Sequence, residues 1–356
     1  MKLYHFSGAG NNFVVLDGRG ADMASFRVPE RIVALCAQYH TDGLMILCAG
    51  EAASNSGDAA SSLQAEEFCK TNLGSAEAPP RGPGRTARLQ NSSATPASGS
   101  NGPSADSDSE RTARLQNSSA TPASGSDFQM EFYNPDGSGG MMCGNGGRCI
   151  AAFADYLGIR PGDRSRIFRF LAPDGPHTAE LLAKDEKGWT IRLGMKDVSG
   201  VTPVLGGYFL DTGTRHYVRF VDDVEAIDIE KEGPRYRHDP AFAPIGANAN
   251  FVQRLPGGGI KVRTFEKGVE GETLACGTGI TASAIAAWFS AGEISPRASL
   301  GRNDKESASA GRNDSVHTPV RARQDDLCVD FTPVGPDTFT AVYLTGPAVL
   351  LATYEI

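Results

Sequence analysis

Short apolar segments, rich in β-branched and aromatic residues and closed by glycine, aspartate, asparagine or proline, recur along most of this chain. FVVLD (13–17), GLMILC (43–48), DFQMEFY (127–133), GWTIRLG (188–194), YFLDTG (208–213) and HYVRFVD (216–222) read as strands. So do NFVQRL (250–255), GIKVRTFE (259–266), LCVDFT (327–332) and TFTAVYL (338–344). Two segments carry helical spacing instead. After Cys143, Ile150, Phe153, Ala154 and Leu157 fall on one face; after Cys276, Ile280, Ala284, Ile285 and Trp288 do the same. Many strands with one long helix per half predict an α+β fold.

The pattern repeats once. With Phe132 set against Phe265, Cys143 falls on Cys276, and each copy reads aromatic, glycine-rich loop, apolar pair, Cys-Gly-x-Gly, helix. Upstream, GAGNNFVV (8–15) resembles TGTRHYVR (212–219) at an offset larger by 71 residues. That difference is close to the length of a stretch, 51–126, in which Ser and Ala fill 30 of 76 positions and Phe68 is the one aromatic. It contains RTARLQNSSATPASGS twice, at 85–100 and 111–126, and has too little apolar surface to offset the entropy of ordering it. A second polar stretch, 295–315, repeats Gly-Arg-Asn-Asp. Both read as insertions in surface loops. The expected organisation is therefore two halves related by a pseudo-twofold axis, each a β-sheet or barrel wrapped around a central helix, with the active site in the cleft between them. The N-terminal half spans 1–197, the C-terminal half 198–344, and 345–356 forms a terminal strand returning to the first half.

Composition narrows the function. Lys and Arg number 34 against 42 Asp and Glu, a net charge of −8 with no basic block, which argues against nucleic acid as a partner. No apolar run approaches the ~18 residues of a membrane span, and the first residues lack a signal-peptide core. Seven cysteines, an odd number in a chain this long, favour a reducing, cytoplasmic setting.

The chemistry lies at the two Cys-Gly-x-Gly junctions. A cysteine just before a helix feels the dipole and free N–H groups of the first turn, which favour the thiolate. Bare glycine backbone at 144, 146, 277 and 279 can also hold a carboxylate. Two such sites face to face would place one sulfur on either side of a carbon and invert it. Cys36, Cys48, Cys69, Cys149 and Cys328 read as core filler. Cys143 and Cys149, six apart with no histidine nearby, lack zinc-finger spacing and no metal is expected, and a cysteine hydrolase would have no use for the second junction.

GAGNNFVVLD, TDGLMIL, FYNPDGSGGMMCGNGGRC, GANANFVQ and FEKGVEGETLACGTG together resemble the ordered motifs of diaminopimelate epimerases, over nearly the whole chain outside the insertions. The resemblance implies an isomerase without pyridoxal phosphate or other cofactor. Such an enzyme interconverts LL- and meso-2,6-diaminopimelate for lysine and peptidoglycan synthesis, with Cys143 and Cys276 as its two acid/base residues. It implies substrate contacts from Asn11, Asn134, Gly144, Asn145, Asn248, Glu266, Lys267, Gly277 and Thr278, and tuning of the thiols by His216 and Glu266. For Asn134, before Pro135-Asp136-Gly137, a turn role is equally consistent with the residues alone. A small-molecule amino acid is the expected partner, and a homodimer is among the expected assemblies. Three positions depart from the family pattern. Lys267 follows the glutamate where arginine is usual, Thr214-Arg215-His216 replaces an x-Pro-His, and Gly43 replaces a glutamine found in some members. Lysine supplies charge without a bidentate fork. A related racemase with another side-chain specificity is the alternative, and a non-catalytic amino-acid-binding protein on the same fold is a more distant one.

Overall fold

The computed structural model describes residues 1–50, 125–140, 142–162, 165–294 and 315–356. The two low-complexity stretches, but for their last residues, and Cys69 lie outside these. The first half lays down β1 (Lys2–Gly8), β2 (Asn11–Asp17), β3 (Leu44–Ala49), β4 (Phe128–Tyr133), β5 (Ile167–Ala172), β6 (Gly175–Asp185) and β7 (Gly188–Gly194). Neighbours pair in chain order, and the pairings β2–β3 and β4–β5 are parallel while the rest are antiparallel. The second half follows with the short β8 (Val198–Ser199) and β9 (Thr202–Val204), then β10 (Gly207–Asp211), β11 (Arg215–Phe220), β12 (Asn248–Arg254), β13 (Ile260–Glu266), the small β14 (Gly271–Thr273), β15 (Val316–Arg321) and β16 (Asp326–Pro333). The ladder β10–β11–β12–β13–β15–β16 repeats the same alternation of antiparallel and parallel pairs.

One long strand, β17 (Thr338–Glu355), completes both ladders. Its first part pairs with β16 and β8, its middle with β7 from Tyr343 to Ala348, and its end with β1. The chain β1 to β7 and back through β17 to β1 is thereby a closed barrel, with no open edge.

Each barrel encloses a helix that starts at a cysteine junction. These are α2 (Gly144–Tyr156) and α4 (Gly277–Ile294); α1 (Pro29–Tyr39) and α3 (Ile229–Arg237) lie outside the barrels. The expectation of a single apolar face on α2 was too narrow. Every residue from Gly144 to Ala154 is buried, Asn145 and Arg148 included, because strands surround the helix. α4 is packed similarly by Val218, Val252, Ile260, Val329 and Phe331.

The outer helices were not predicted. α1 opens with Pro29 in its first turn and ends where His40 turns left-handed at φ 53°. Its Ile32, Leu35 and Cys36 cover Leu3, Val14, Leu16, Leu44 and Ile46 on the outer faces of β1 to β3. Those strands are thus apolar on both faces, which is why FVVLD and GLMILC read as continuous runs without alternation. In the second half, Ile229 and Tyr236 of α3 join Ala249, Phe251 and Phe265 on β12 and β13. Among the described residues no helix is long and apolar enough to cross a membrane.

Candidate active site

The starts of α2 and α4 abut. A β-carbon added to Gly277 would lie 3.2 Å from Cα of Gly144, and one added to either glycine would meet Leu344 Cδ2 at 3.1 Å. Cys143 and Cys276 therefore stand immediately before two helix ends in contact. Each cysteine carbonyl accepts the first helical bond, from Gly147 N and Ile280 N respectively, both at 2.8 Å. Cys143 Sγ accepts the N–H of Gly146 at 3.2 Å and caps its helix, while Cys276 Sγ lies 3.4 Å from Thr278 Oγ1 and is favoured as thiolate by the nearby Gly279 N–H.

Electrostatics correct the sequence-based expectation. The N–H groups of the first turn do favour the thiolates, but desolvation outweighs them. Burial raises Cys143 to about 11 and raises Cys276 further, with the negative charge of Glu266 adding to the rise at both. Glu266 is itself displaced upward, mainly by burial, with the charge of Asp42 adding to the rise. Two thiols and one carboxyl thus act on one another through their charges, and desolvation makes any negative charge among them costly.

The other predicted residues fall into three groups. Asn11 and Asn145 are brought together: Asn145 Nδ2 donates to Asn11 Oδ1 and, at 2.9 Å, to the carbonyl of Ala275, next to Cys276. Asn11 Nδ2 also donates to Asp42 Oδ2 at 3.2 Å. In the second half His216, fully buried, has Nε2 2.8 Å from Thr214 Oγ1 and 3.0 Å from Thr278 Oγ1, which in turn lies 3.4 Å from Cys276 Sγ. His216 reaches the thiol through a hydroxyl. Burial pushes its imidazole down to about 3, so it is neutral at ordinary pH.

The third group is positioned by its own hydrogen bonds. Asn248 donates from Nδ2 to Arg215 O at 3.0 Å and accepts Lys267 N on Oδ1 at 2.8 Å, tying β11 to the turn after β13. The Lys267 side chain is exposed. Asn134 donates from Nδ2 to Ser138 Oγ at 3.0 Å within the Pro135-Asp136-Gly137 turn, and its backbone closes that turn.

Sequence reasoning missed three residues here. Arg148, with no exposed surface, donates to Asn145 Oδ1 (2.8 Å), Gly144 O (3.2 Å) and Pro347 O (3.3 Å). Asn250 donates from Nδ2 to Tyr217 O at 2.9 Å and to His216 Nδ1 at 3.1 Å, which leaves the ring proton on Nε2. Thr212 donates to Thr278 O at 2.9 Å. An arginine within an apolar helical run was the one signal that could have marked Arg148.

Known proteins match this arrangement at the level of sequence. The family model described as diaminopimelate epimerase matches residues 208–298, a stretch that holds His216, Asn248, Glu266, Lys267 and Cys276. A protein of Flavobacterium psychrophilum named diaminopimelate epimerase is 36% identical over 222 residues, 62% of this chain and 75% of that protein. The chain belongs to the diaminopimelate epimerase family. A family member from Aquifex aeolicus is 43% identical over 171 residues, 46% of this chain, and there the chain spans 59% of the relative's length. Among solved structures, a phenazine biosynthesis protein of the PhzF family from Bacillus anthracis superposes with a TM-score of 0.53 at 10% identity, covering 100% of this chain and 98% of that one. A hydroxyproline epimerase from Agrobacterium vitis gives 0.50 at 10% identity, covering 99% and 91%. At such identity these two likenesses establish the fold alone, one the epimerase family shares with other enzymes.

Proposed function

We propose that the chain interconverts LL- and meso-2,6-diaminopimelate by moving a proton between two cysteines. The observation that carries the reading is the meeting of two cysteine-capped helix ends at Gly144 and Gly277. The bare N–H groups of both first turns hold the α-carboxylate between the helices, where two dipoles favour an anion. One sulfur then lies on each face of the α-carbon. The thiolate on one side removes the α-proton, and the thiol on the other delivers its own. One C–H bond breaks and one forms, with no net redox change.

Glu266 supports the step electrostatically. While ionised it raises both thiols; a proton passed to it from a thiol yields a thiolate and removes that repulsion at once. Neutral His216 acts on Cys276 through Thr278. Asn11, Asn145 and Asn248 shape the pocket and contact substrate, and Lys267 answers the distal carboxylate. The six cysteines among the described residues are all free, which supports a cytoplasmic setting.

The test is direct incubation of the full chain with LL-diaminopimelate, watching for the meso isomer. Cys143→Ala and Cys276→Ala should each abolish conversion in folded protein. In D₂O, deuterium should enter the product early with little in the recovered starting isomer. Conversion of another amino acid but not of diaminopimelate would replace the substrate and keep the chemistry; near-normal turnover in either alanine variant would defeat the two-cysteine step.

A further inference from the structure

The outer face of the second barrel carries a cluster that this chemistry does not use. Side chains alternate along β15 and β16: Val320, Leu327, Val329 and Phe331 pack inward around α4, while His317, Cys328 and Asp330 point out. His317 stands directly across from Asp330, and Cys328 is one diagonal step away. His317 Nδ1 lies 2.7 Å from Asp330 Oδ1. Cys328 Sγ lies 3.1 Å from Nδ1 and 3.3 Å from Nε2 of the same ring. One ligand atom from each of the three residues falls within 4.8 Å of the others. We propose that His317, Cys328 and Asp330 bind a thiophilic divalent cation, zinc foremost, on the outer face of the C-terminal half, with water completing a four-coordinate shell.

The donor set selects the metal. Thiolate, imidazole and carboxylate are the ligands zinc takes, whereas calcium and magnesium require oxygen and have no use for sulfur. Charge balances as well, because a thiolate and a carboxylate together neutralise a dication. Ligands at about 2.0–2.3 Å from a tetrahedral ion sit roughly 3.3–3.8 Å apart. The His317–Asp330 and His317–Cys328 separations are a little shorter than that. A small outward swing of His317, whose side chain is 66% exposed, opens the space required. Cys328 and Asp330 stand two residues apart on β16, whose ladder with β15 fixes their backbones, so side-chain rotation alone closes the shell.

Without a cation the cluster is quiet. Burial, reinforced by the charge of Asp330, pushes the Cys328 thiol up to about 12, so it is protonated at neutral pH and a bound cation must displace that proton. The reading of Cys328 as core filler fails because the residue lies on the outward side of its strand. The site escaped the search for metal spacing because its ligands come from two strands of one antiparallel pair, matched by register and not by a short motif.

The test uses the intact, metal-free chain. Titration with Co²⁺ should produce a thiolate-to-cobalt charge-transfer band that Zn²⁺ then displaces. Zn²⁺ should protect Cys328 from alkylation, resolved from the other cysteines by peptide mass spectrometry. Cys328→Ser, His317→Ala and Asp330→Asn should each weaken uptake more than about tenfold. All three substitutions are on an outward face and leave the inward packing of both strands untouched. Alkylation of Cys328 unaffected by Zn²⁺, or a cobalt band that survives His317→Ala undiminished, would overturn the proposal; the second result would place the metal on the Cys143–Cys276 pair.

Discussion

Gly144 and Gly277 meet with no side chain between them, each the first residue of the helix enclosed by its barrel. This contact sets how far apart the two thiols stand, because Cys143 and Cys276 are their immediate neighbours in sequence. The two barrels are joined through β17, which pairs with β16 on one side and with β7 and β1 on the other. The spacing of the thiols thus depends on a backbone contact between rigid units.

Gly277→Ala should therefore be an activity variant more than a folding variant. The added methyl meets Gly144 Cα at 3.2 Å and Leu344 Cδ2 at 3.1 Å, tight contacts that are relieved by a few tenths of an ångström of movement. Overpacking of this kind costs about 1–3 kcal/mol, while a displacement approaching 1 Å at the reacting centre costs about 100-fold in turnover. Steady-state kinetics beside a denaturant titration should show a fall in kcat that is much larger than the loss of stability predicts. Wild-type kcat in a folded Gly277→Ala protein would separate the helix contact from catalysis.

The thiols give a second expectation. Both are raised by burial, Cys143 to about 11, so in the free protein both are protonated at neutral pH. Alkylation of Cys143 by iodoacetamide should be slow at pH 7 and accelerate about tenfold per pH unit, since only the thiolate reacts. Because the folded values lie above the ordinary 9.0, the stability gained by keeping these groups neutral is present below pH 9 and is lost as pH rises through about 11. Glu266→Gln removes the nearby charge and should shift the alkylation profile of both cysteines to lower pH. An unshifted profile would show that Glu266 does not act on the thiols.

How much of this was legible in the sequence follows from the range of each effect. The strands of both ladders and the equivalence of Cys143 with Cys276 are written in local periodicity and spacing. The offset that joins Gly8 to Thr212 is also matched in space, since a β-carbon at Gly8 would lie 2.9 Å from Asn145 O and Thr212 Oγ1 donates to Thr278 O. The parallel pairings, however, differ in register by two residues between halves, Val14 facing Leu44 where His216 faces Asn248, and no local pattern encodes that shift. The rise in the thiols escaped for a related reason. A helix start can be read from Cys-Gly-x-Gly, but desolvation comes from the strands and the second helix that close over it. Arg148 is the sharpest case, a charged residue whose only described partners are Asn145 and the carbonyls of Gly144 and Pro347.

Lys267 offers a test of specificity. Its backbone N–H is held by Asn248 Oδ1, which fixes where the lysine leaves the turn after β13. If its ammonium answers the distal carboxylate of the substrate, Lys267→Met loses a charge-assisted contact of about 1.5–3 kcal/mol, or about 10- to 150-fold in affinity. KM should carry that loss while kcat stays close to its original value, and Lys267→Arg should retain binding. An unchanged KM in the methionine variant would place Lys267 outside the site.

His216 links the site to the acid stability of the fold. Its imidazole is fully buried, held by Asn250 at Nδ1 and by Thr214 and Thr278 at Nε2, and burial pushes it down to about 3 from an ordinary 6.5. In the unfolded chain the same group takes up a proton near pH 6.5. Between these values the unfolded state binds more protons than the folded one. Stability conferred by the neutral imidazole is therefore present above about pH 6.5 and is lost as pH falls toward 3, with a slope of at most about 1.4 kcal/mol per pH unit. His216→Gln keeps a donor and an acceptor but has nothing to titrate. Urea titrations at a series of pH values should show the wild type losing stability between pH 6 and 4 faster than this variant, with the two curves parallel above pH 7. The kinetics separate positioning from packing. A neutral His216 acting through Thr278 should lower kcat/KM equally in both directions when replaced, as the fixed equilibrium constant requires, in a protein that is still fully folded at neutral pH. Stability curves of wild type and His216→Gln that run parallel through the whole acid range would show that folding does not depress the imidazole, and a neutral relay to Cys276 would then hold only above about pH 6.5.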